Sequence, residues 1–172
     1  WTLSDLYLIA VGGLSPLDGF MDENAYRSVV SGMALPSGLP WSIPVVLPVS
    51  DDEAANIVVG QPVALYAPDG KLAAVVDVED IFDRDRETEA EAVFRTSDQA
   101  HPGVAAMYRM GGRCVAGPIQ YVYDEDITGF PDDNLTPAQT RAAFAERGWE
   151  TAVAFQTRNP IHRAHEYIQK CA

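Results

Sequence analysis

Two of the three histidines of this chain lie three residues apart, in a short segment that also contains two arginines. The segment reads Gln156-Thr157-Arg158-Asn159-Pro160-Ile161-His162-Arg163-Ala164-His165-Glu166. Guanidinium, amide and imidazole groups bind oxyanions through charge and hydrogen bonds, and a planar guanidinium can contact two oxygens of one anion. Because the whole chain carries a formal net charge of -13, any anion that it binds must be captured by such a local site.

The histidine pair also allows a metal-site interpretation. Zinc takes three or four ligands of suitable type. Beyond His162 and His165, the candidates are Glu166, Cys171 and the distant His101, and the HExxH spacing is absent. We therefore predict no metal site here.

The elements around this segment predict where it lies in a fold. Residues 151–155 form an unbroken apolar run, which is typical of a buried parallel strand. Asn159 and Pro160 predict a helix N-cap and first position, although this pairing is common without any ligand. The turn between this strand and this helix would lie at the carboxyl end of a parallel strand, where open α/β sheets bind ligands. The helix N-terminus adds unpaired N–H groups suited to phosphate or sulfate.

A second helix is predicted just before this strand. Thr136 and Pro137 give an N-cap followed by a first-turn proline, and Gly148 provides a C-terminal stop. The acidic segment 124–134 before it indicates a solvated linker. A helix, a buried strand and a further helix are the beginning of an α/β domain.

The first two-thirds of the chain is predicted to be rich in strands. Two apolar runs, 62–67 and 71–76, flank Pro68-Asp69-Gly70 and predict a β-hairpin. Residues 113–119 and 121–123 indicate further strands. Short strands with frequent proline and glycine favour a small β-barrel or a folded sheet. Helices are expected over residues 22–30 and 87–94.

Composition excludes several classes of function. With 172 residues, 47% hydrophobic and 22% charged, the chain is globular material for one domain or two small ones. The negative charge disfavours nonspecific binding to nucleic acid or anionic membranes, and no apolar run reaches a membrane span. Cys114 and Cys171 lack disulfide or zinc spacing, so we expect a reducing, cytoplasmic compartment. Trp1 is no initiator and the sequence stops within a predicted helix, so we expect a fragment.

The segment from Gln156 to Glu166 resembles the signature of the ATP sulfurylase (sulfate adenylyltransferase) family. Its histidine pair is similar to the HxGH motif of nucleotidyltransferases, with Ala164 where many relatives carry glycine. The resemblance continues through the whole chain in order. Its other parts are Ser15-Pro16-Leu17-Asp18-Gly19-Phe20-Met21 (departing from the family only at Leu14), His101-Pro102-Gly103-Val104, Gly117-Pro118-Ile119 and residues 135–149.

The resemblance implies an α/β protein with two parts. Residues 1–130 would form a β-rich, PUA-like barrel domain. Residues 131–172 would form the first βα unit of a nucleotidyltransferase-type α/β catalytic domain, which in the family continues to a Gly-Arg-Asp-His loop and a basic loop. We therefore expect this piece by itself to be inactive, and the full-length protein to be a homo-oligomer.

The implied reaction is attack of sulfate on the α-phosphate of MgATP, giving adenosine 5′-phosphosulfate and pyrophosphate, or the reverse. The resemblance implies no tightly bound cofactor, with Mg²⁺ accompanying ATP as substrate. The implied catalytic residues are Thr157, Arg158, Asn159, His162 and His165. Sulfate would be bound by Gln156 and Arg158, and ATP by Gln156, Asn159, His162 and His165.

Three alternatives accompany this interpretation. The histidine pair could serve another nucleotidyltransferase with a different acceptor. A PUA-like domain could bind RNA, although a net charge of -13 without a basic stripe argues against it. A fused adenylylsulfate kinase would need a P-loop, and this sequence contains no GxxxxGK[ST]. The direction of the reaction and the protonation state of His162 and His165 stay open.

Overall fold

The computed structural model describes residues 2–123, 129–130 and 133–171. Contacts divide the chain into two compact units, Trp1–Asn134 and Leu135–Ala172. The segment 124–134, expected to be a linker, lies largely outside the described residues.

The first unit combines helices with a six-stranded sheet. Its helices are α1 (Thr2–Ala10), α2 (Glu23–Gly32), α3 (Asp51–Ala54), α4 (Arg86–Glu89), which continues as a π-helical turn (Ala90–Phe94), and α5 (Pro102–Arg109). Its strands are β1 (Gly19–Phe20), β2 (Leu47–Val49), β3 (Pro62–Tyr66), β4 (Leu72–Asp77), β5 (Asp80–Asp83) and β6 (Arg113–Tyr121). The mixed, strand-rich character predicted from the sequence is confirmed.

The longest strand, β6, organises the sheet. Its first residues pair with both β2 and β5, and its later residues pair with β1 and β4, always antiparallel. Strand β4 in turn pairs with β3, which completes the path β1-β6-β4-β3. Within the described residues the two ends of this path do not meet, so the predicted closed barrel is wrong. Strands β1 and β2 span two and three residues, with Pro48 inside β2, and such short ladders cannot supply the continuous pairing that closure requires.

Two glycines allow backbones to cross closely beside β6. Gly117 has φ +143°, and a Cβ added there would lie 1.9 Å from the carbonyl oxygen of Asp77. A Cβ on Gly19 would lie 1.9 Å from the carbonyl oxygen of Gly117. Because any side chain would overlap backbone at both places, β1 and the end of β4 reach β6 through glycine alone.

The hairpin predicted around Asp69-Gly70 is confirmed. Strands β3 and β4 are antiparallel, with Val63 opposite Val76, and Gly70 has φ +82°. The two predicted helices of this unit are also confirmed. The Asp22 side chain caps α2 by accepting from the Ala25 N–H, and residues 87–94 lie in α4 and its π-helical continuation.

The core lies between the sheet and helices α1 and α2. Leu6 and Ile9 of α1 pack in a cluster with Val76 and Val115 of the sheet. Tyr26, Val29 and Val30 of α2 pack in a second cluster with Phe82 and Cys114.

A buried ion pair beside the second cluster was not predicted from the sequence. The Arg84 guanidinium donates from Nε and Nη2 to the two carboxylate oxygens of Glu89, at 2.8 and 2.6 Å. Tyr26 donates its hydroxyl to Glu89 at 3.0 Å. Burial, together with the nearby Glu89 carboxylate, raises the pKa of Tyr26, and burial raises the pKa of Cys114 to about 12.

The second unit contains α6 (Pro137–Arg147) and α7 (Arg163–Cys171). The prediction for α6 is confirmed at both ends. Thr136 and Gln139 form a reciprocal capping box, and Gly148 ends the helix with φ +65°.

Two predictions for the second unit are wrong. Residues 151–155 are exposed and form no strand, and α7 begins at Arg163 rather than after an Asn159 cap. A parallel strand needs a neighbour to satisfy its backbone groups, and the described part of this unit supplies helices only. The apolar run therefore has no regular structure and no strand partner among the described residues. Across the described residues, no helix has both the length and the apolar character of a membrane span.

Candidate functional site

The residues predicted to be catalytic or to bind anions lie in the segment that precedes α7 and enters its first turn. Five of them are exposed or half-exposed in a stretch without regular structure or at its junction with the helix: Gln156, Thr157, Arg158, Asn159 and His162. The sixth, His165, lies in the first turn of α7 and is half-buried.

Thr157 and Asn159 form a local turn. The Asn159 N–H donates to Thr157 Oγ1 at 3.1 Å, and this hydroxyl donates to the Asn159 carbonyl oxygen at 3.3 Å. The hydroxyl thus bridges both backbone groups of Asn159 and fixes the loop around Arg158. Among the described residues, Arg158 has neither a hydrogen-bond nor an ion-pair partner, so its guanidinium is available to a ligand.

His162 and His165 cap the N-terminus of α7 together. His162 Nδ1 accepts from the Ala164 N–H at 3.3 Å, and His165 Nδ1 accepts from the His162 N–H at 3.4 Å. The arrangement resembles a capping box with imidazoles in place of the usual hydroxyl and carboxylate, except that His162 accepts from the second helical N–H rather than the third. The sequence prediction placed the cap at Asn159. The His-x-x-His spacing, which equals capping-box spacing, is the signal that would have placed it at His162.

These hydrogen bonds identify the tautomer of both rings. A ring nitrogen that accepts a hydrogen bond carries no hydrogen, so each neutral imidazole holds its hydrogen on Nε2. The two rings stack with centroids 3.9 Å apart and planes 28° from parallel. The His165 ring also meets the Phe155 ring edge-on at 5.5 Å. The pair therefore presents two Nε2–H donors, held in place by the helix cap and by Phe155.

The segment forms two small groups rather than one closed site. Thr157 contacts Asn159, and His162 contacts His165. Within the described ranges, no hydrogen bond or ring contact joins Gln156 or Arg158 to either group. The arrangement offers N–H donors and a guanidinium beside a helix N-terminus, which suits oxyanions more than proton transfer.

The described residues hold no cluster of three or more histidine, cysteine, aspartate or glutamate side chains that could bind a metal. Of the side chains near the histidine pair, Glu166 is paired with Lys170, and Cys171 is exposed with a free thiol.

Protein-family models match both parts of the chain. A model described as PUA-like domain matches residues 1–124, and a model described as ATP-sulfurylase matches residues 132–172. The second match contains the whole segment from Gln156 to Glu166.

Curated relatives match nearly all of the chain. It is 50% identical over 169 residues to a sulfate adenylyltransferase of Synechococcus sp. (strain JA-3-3Ab), covering 98% of this chain and 43% of the relative. It is 52% identical to a sulfate adenylyltransferase of Symbiobacterium thermophilum, with the same coverage of each. A probable bifunctional SAT/APS kinase 2 of Sorangium cellulosum is 47% identical, over 99% of this chain and 29% of the relative. The chain thus spans less than half the length of these relatives.

A solved structure has a similar fold. The hexameric APS kinase from Thiobacillus denitrificans superposes with a TM-score of 0.72 at 26% identity, over 99% of this chain and 30% of that one.

Proposed function

We propose that this chain carries the anion-binding turn of an enzyme that transfers an adenylyl group from ATP to sulfate. The chain belongs to the PUA-like domain family over residues 1–124, and it is related to the sulfate adenylyltransferases over nearly its whole length. The observation that carries the proposal is the set of unsatisfied donors before α7: the guanidinium of Arg158 and two outward Nε2–H groups. The similarity to curated sulfate adenylyltransferases supports sulfate and ATP as the anions.

The reaction requires the enzyme to position the two substrates and to stabilise negative charge in the transition state. An oxygen of sulfate attacks the α-phosphorus of ATP and forms a new P–O bond, while the bond from that phosphorus to the bridging oxygen breaks and pyrophosphate leaves. Sulfate is already an anion, so no base has to remove a proton. The barrier comes from bringing two anions together and from the charge on the crowded phosphorus.

Arg158 and Gln156 are proposed to bind sulfate. The planar guanidinium can hold two sulfate oxygens at once, which a lysine ammonium cannot do. The Gln156 amide can donate to a third oxygen. The Thr157–Asn159 turn supports this role because it fixes the backbone on either side of Arg158.

His162, His165, Asn159 and Gln156 are proposed to hold the ATP phosphates, which enter as the Mg²⁺ complex. Both histidines would donate from Nε2, because their Nδ1 atoms already accept from backbone N–H groups at the helix cap. Hydrogen bonds from these donors would strengthen as charge develops on the phosphate oxygens.

The wider organisation is part of the proposal. Residues 1–130 would be the PUA-like domain, and residues 131–172 would begin the α/β catalytic domain. We propose that the full-length protein is a homo-oligomer of the cytoplasm, where the free thiols of Cys114 and Cys171 stay reduced.

The test uses the full-length gene product and the reverse reaction. ATP formation is measured from adenosine 5′-phosphosulfate and pyrophosphate, with Arg158→Ala compared with Arg163→Ala. Both arginines are exposed and five residues apart in sequence, so the pair controls for loss of positive charge. We expect Arg158→Ala to lower kcat/KM by at least about a hundredfold and Arg163→Ala to stay near the parent.

Other outcomes would contradict distinct parts of the proposal. Equal losses of kcat/KM in both variants would show a general effect of positive charge rather than specific binding of sulfate by Arg158. Activity that survives Arg158→Ala would support the proposed activity and contradict the proposed sulfate site at Arg158. A folded full-length protein without activity would contradict sulfate as the adenylyl acceptor, and other oxyanions such as phosphate or molybdate would then be tested.

A further inference from the structure

The first unit contains a cavity of about 590 Å³, distant in sequence from the anion-binding turn. Cavities of this size are typical of small-molecule sites, which are mostly apolar with a few placed polar groups. Its apolar wall includes Trp41, Ile43, Val46, Phe94, Met107 and Met110. The proposed adenylyl transfer uses none of these residues.

A buried guanidinium forms part of the same wall. The Arg84 side chain is only 7% exposed, and its Nε and Nη2 atoms donate hydrogen bonds to Glu89. Its remaining nitrogen, Nη1, has a contact of 3.8 Å with the thioether sulfur of Met110. A thioether is a weak acceptor, so a strong cationic donor at the cavity wall lacks an oxygen partner among the described residues.

The charges around the cavity favour an uncharged ligand. Glu89 already neutralises Arg84 at 2.6 Å. Asp5 also lines the cavity, and its partial burial, which raises its pKa, shows that an added negative charge would be poorly solvated there. A carboxylate ligand would bring a third anion to a wall that already holds Asp5 and Glu89. An ammonium ligand has no acceptor for the hydrogen bond that Arg84 can donate. The hydrogen bond that is available suits a neutral oxygen.

We infer that this cavity binds a small, uncharged, mostly apolar molecule that carries one carbonyl-type oxygen. The oxygen accepts from Arg84 Nη1 in place of the Met110 sulfur, and the apolar body packs against Trp41, Phe94 and Met107. This site is separate from the proposed reaction and does not depend on it.

Three related probes test the inference. Acetophenone has an aromatic body and a carbonyl, α-methylstyrene replaces that carbonyl oxygen with a methylene of similar shape, and benzoate adds a negative charge. The readout is the set of ¹³C-methyl methionine resonances of the full-length protein, assigned by single Met→Leu substitutions. Met107 and Met110 line the cavity, whereas Met33 does not and is exposed, so Met33 reports binding elsewhere.

We expect acetophenone to shift the signals of Met107 and Met110 saturably and to leave Met33 unchanged. A hydrogen bond from a buried cation should make acetophenone bind at least about tenfold tighter than α-methylstyrene, and benzoate should bind no better than α-methylstyrene. Equal affinities for the two neutral probes would overturn the role of Arg84, and tighter binding of benzoate would overturn the neutral class. No shift at Met107 and Met110, or an equal shift at Met33, would overturn the site.

A substitution at the cavity rim provides an independent arm. Ser42 lines the cavity and is exposed, so Ser42→Trp should fold and narrow the cavity, whereas Ser31→Trp on the exposed side of α2 is the matched control. We expect Ser42→Trp to weaken acetophenone binding at least about tenfold, as a blocked apolar pocket requires, and Ser31→Trp to leave it unchanged. Unchanged binding in Ser42→Trp would place the probe outside this cavity.

Discussion

At the residue scale, His162 and His165 combine two tasks that proteins usually give to different side chains. Their Nδ1 atoms cap α7, and their Nε2–H groups point away from the cap as free donors. Capping therefore fixes both the ring orientation and the tautomer. In the proposed enzyme the same hydrogen bonds that begin the helix would prepare its phosphate donors.

Replacing His162 by asparagine separates the two tasks. The Asn side-chain oxygen can accept from the backbone as Nδ1 does, and asparagine is a favourable N-cap, so His162→Asn should change the free energy of unfolding by less than about 1 kcal/mol. It lacks the Nε2–H donor, so kcat/KM of the full-length enzyme should fall at least about a hundredfold. Thermal unfolding and reverse-reaction kinetics check the two halves. His162→Ala, which loses both cap and donor, is the control, and full activity in His162→Asn would show that the donor has no role.

Cys114 gives a residue-scale prediction about pH. Its pKa is raised from 9.0 to about 12 by burial, so as pH rises past 9 the unfolded thiol releases its proton while the folded thiol keeps it. The unfolded state then binds fewer protons, and stability falls with pH between 9 and 12 by up to about 1.4 kcal/mol per unit from this group. Urea unfolding between pH 8 and 10 should show this slope in the parent and less of it in Cys114→Ala. The exposed Cys171→Ala is the control, and parallel slopes for all three proteins would contradict the assignment.

At the element scale, the parts that the sequence predicted correctly are those whose signals are local. Helix α6 has its start and stop residues, Thr136 and Gly148, directly beside it, and the β3–β4 hairpin has Asp69-Gly70 in its turn. The strand expected over residues 151–155 depends on neighbouring strands that the described part of its unit does not contain. An apolar run records a tendency to be buried, and the element it forms depends on its partners.

Distant pairing also explains what could not be predicted in the first unit. Strand β6 contacts four other strands, and nothing within its own residues specifies those partners. The Arg84–Glu89 pair is close in sequence, but its burial depends on Tyr26, far away in α2. At the proposed anion-binding turn, residue types and spacing identified the candidate residues and could have indicated the imidazole cap, whereas the stacking of the two rings required coordinates.

The glycine crossing at β6 predicts a sharp loss of stability. In Gly117→Ala the new methyl would overlap the Asp77 carbonyl, and φ +143° is strained for any side chain. We expect a loss of at least about 3 kcal/mol in the free energy of unfolding. Gly32→Ala at the end of α2 is the matched control, because nothing lies within 4 Å of its added Cβ, and helix propensity favours alanine there by up to about 1 kcal/mol. Urea unfolding of both variants checks this, and equal stabilities would show that β1, β4 and β6 can separate at little cost.

At the scale of the whole molecule, the two units differ in how much they bury. The first has hydrophobic clusters on both helices and sheet, whereas neither α6 nor α7 contains a buried residue. Large apolar side chains of the second unit are exposed, among them Val153, Ile161, Tyr167 and Ile168. A helix without buried contacts has little stability beyond its caps.

This difference predicts how the 172-residue chain compares with the full-length protein. By hydrogen exchange, backbone amides of β4 and β6 should be strongly protected in both, because they are paired and buried. Amides of residues 151–171 should exchange within seconds in the 172-residue chain, because their apolar side chains are exposed, and more slowly in any longer form of the protein that covers those side chains. Since the proposed anion donors lie in this segment, the short chain should also show no ATP formation from adenosine 5′-phosphosulfate and pyrophosphate. Strong protection of residues 151–171 together with turnover in the short chain would mean that the second unit is complete as it stands; protection without turnover would place the missing chemistry in other residues of the full-length protein.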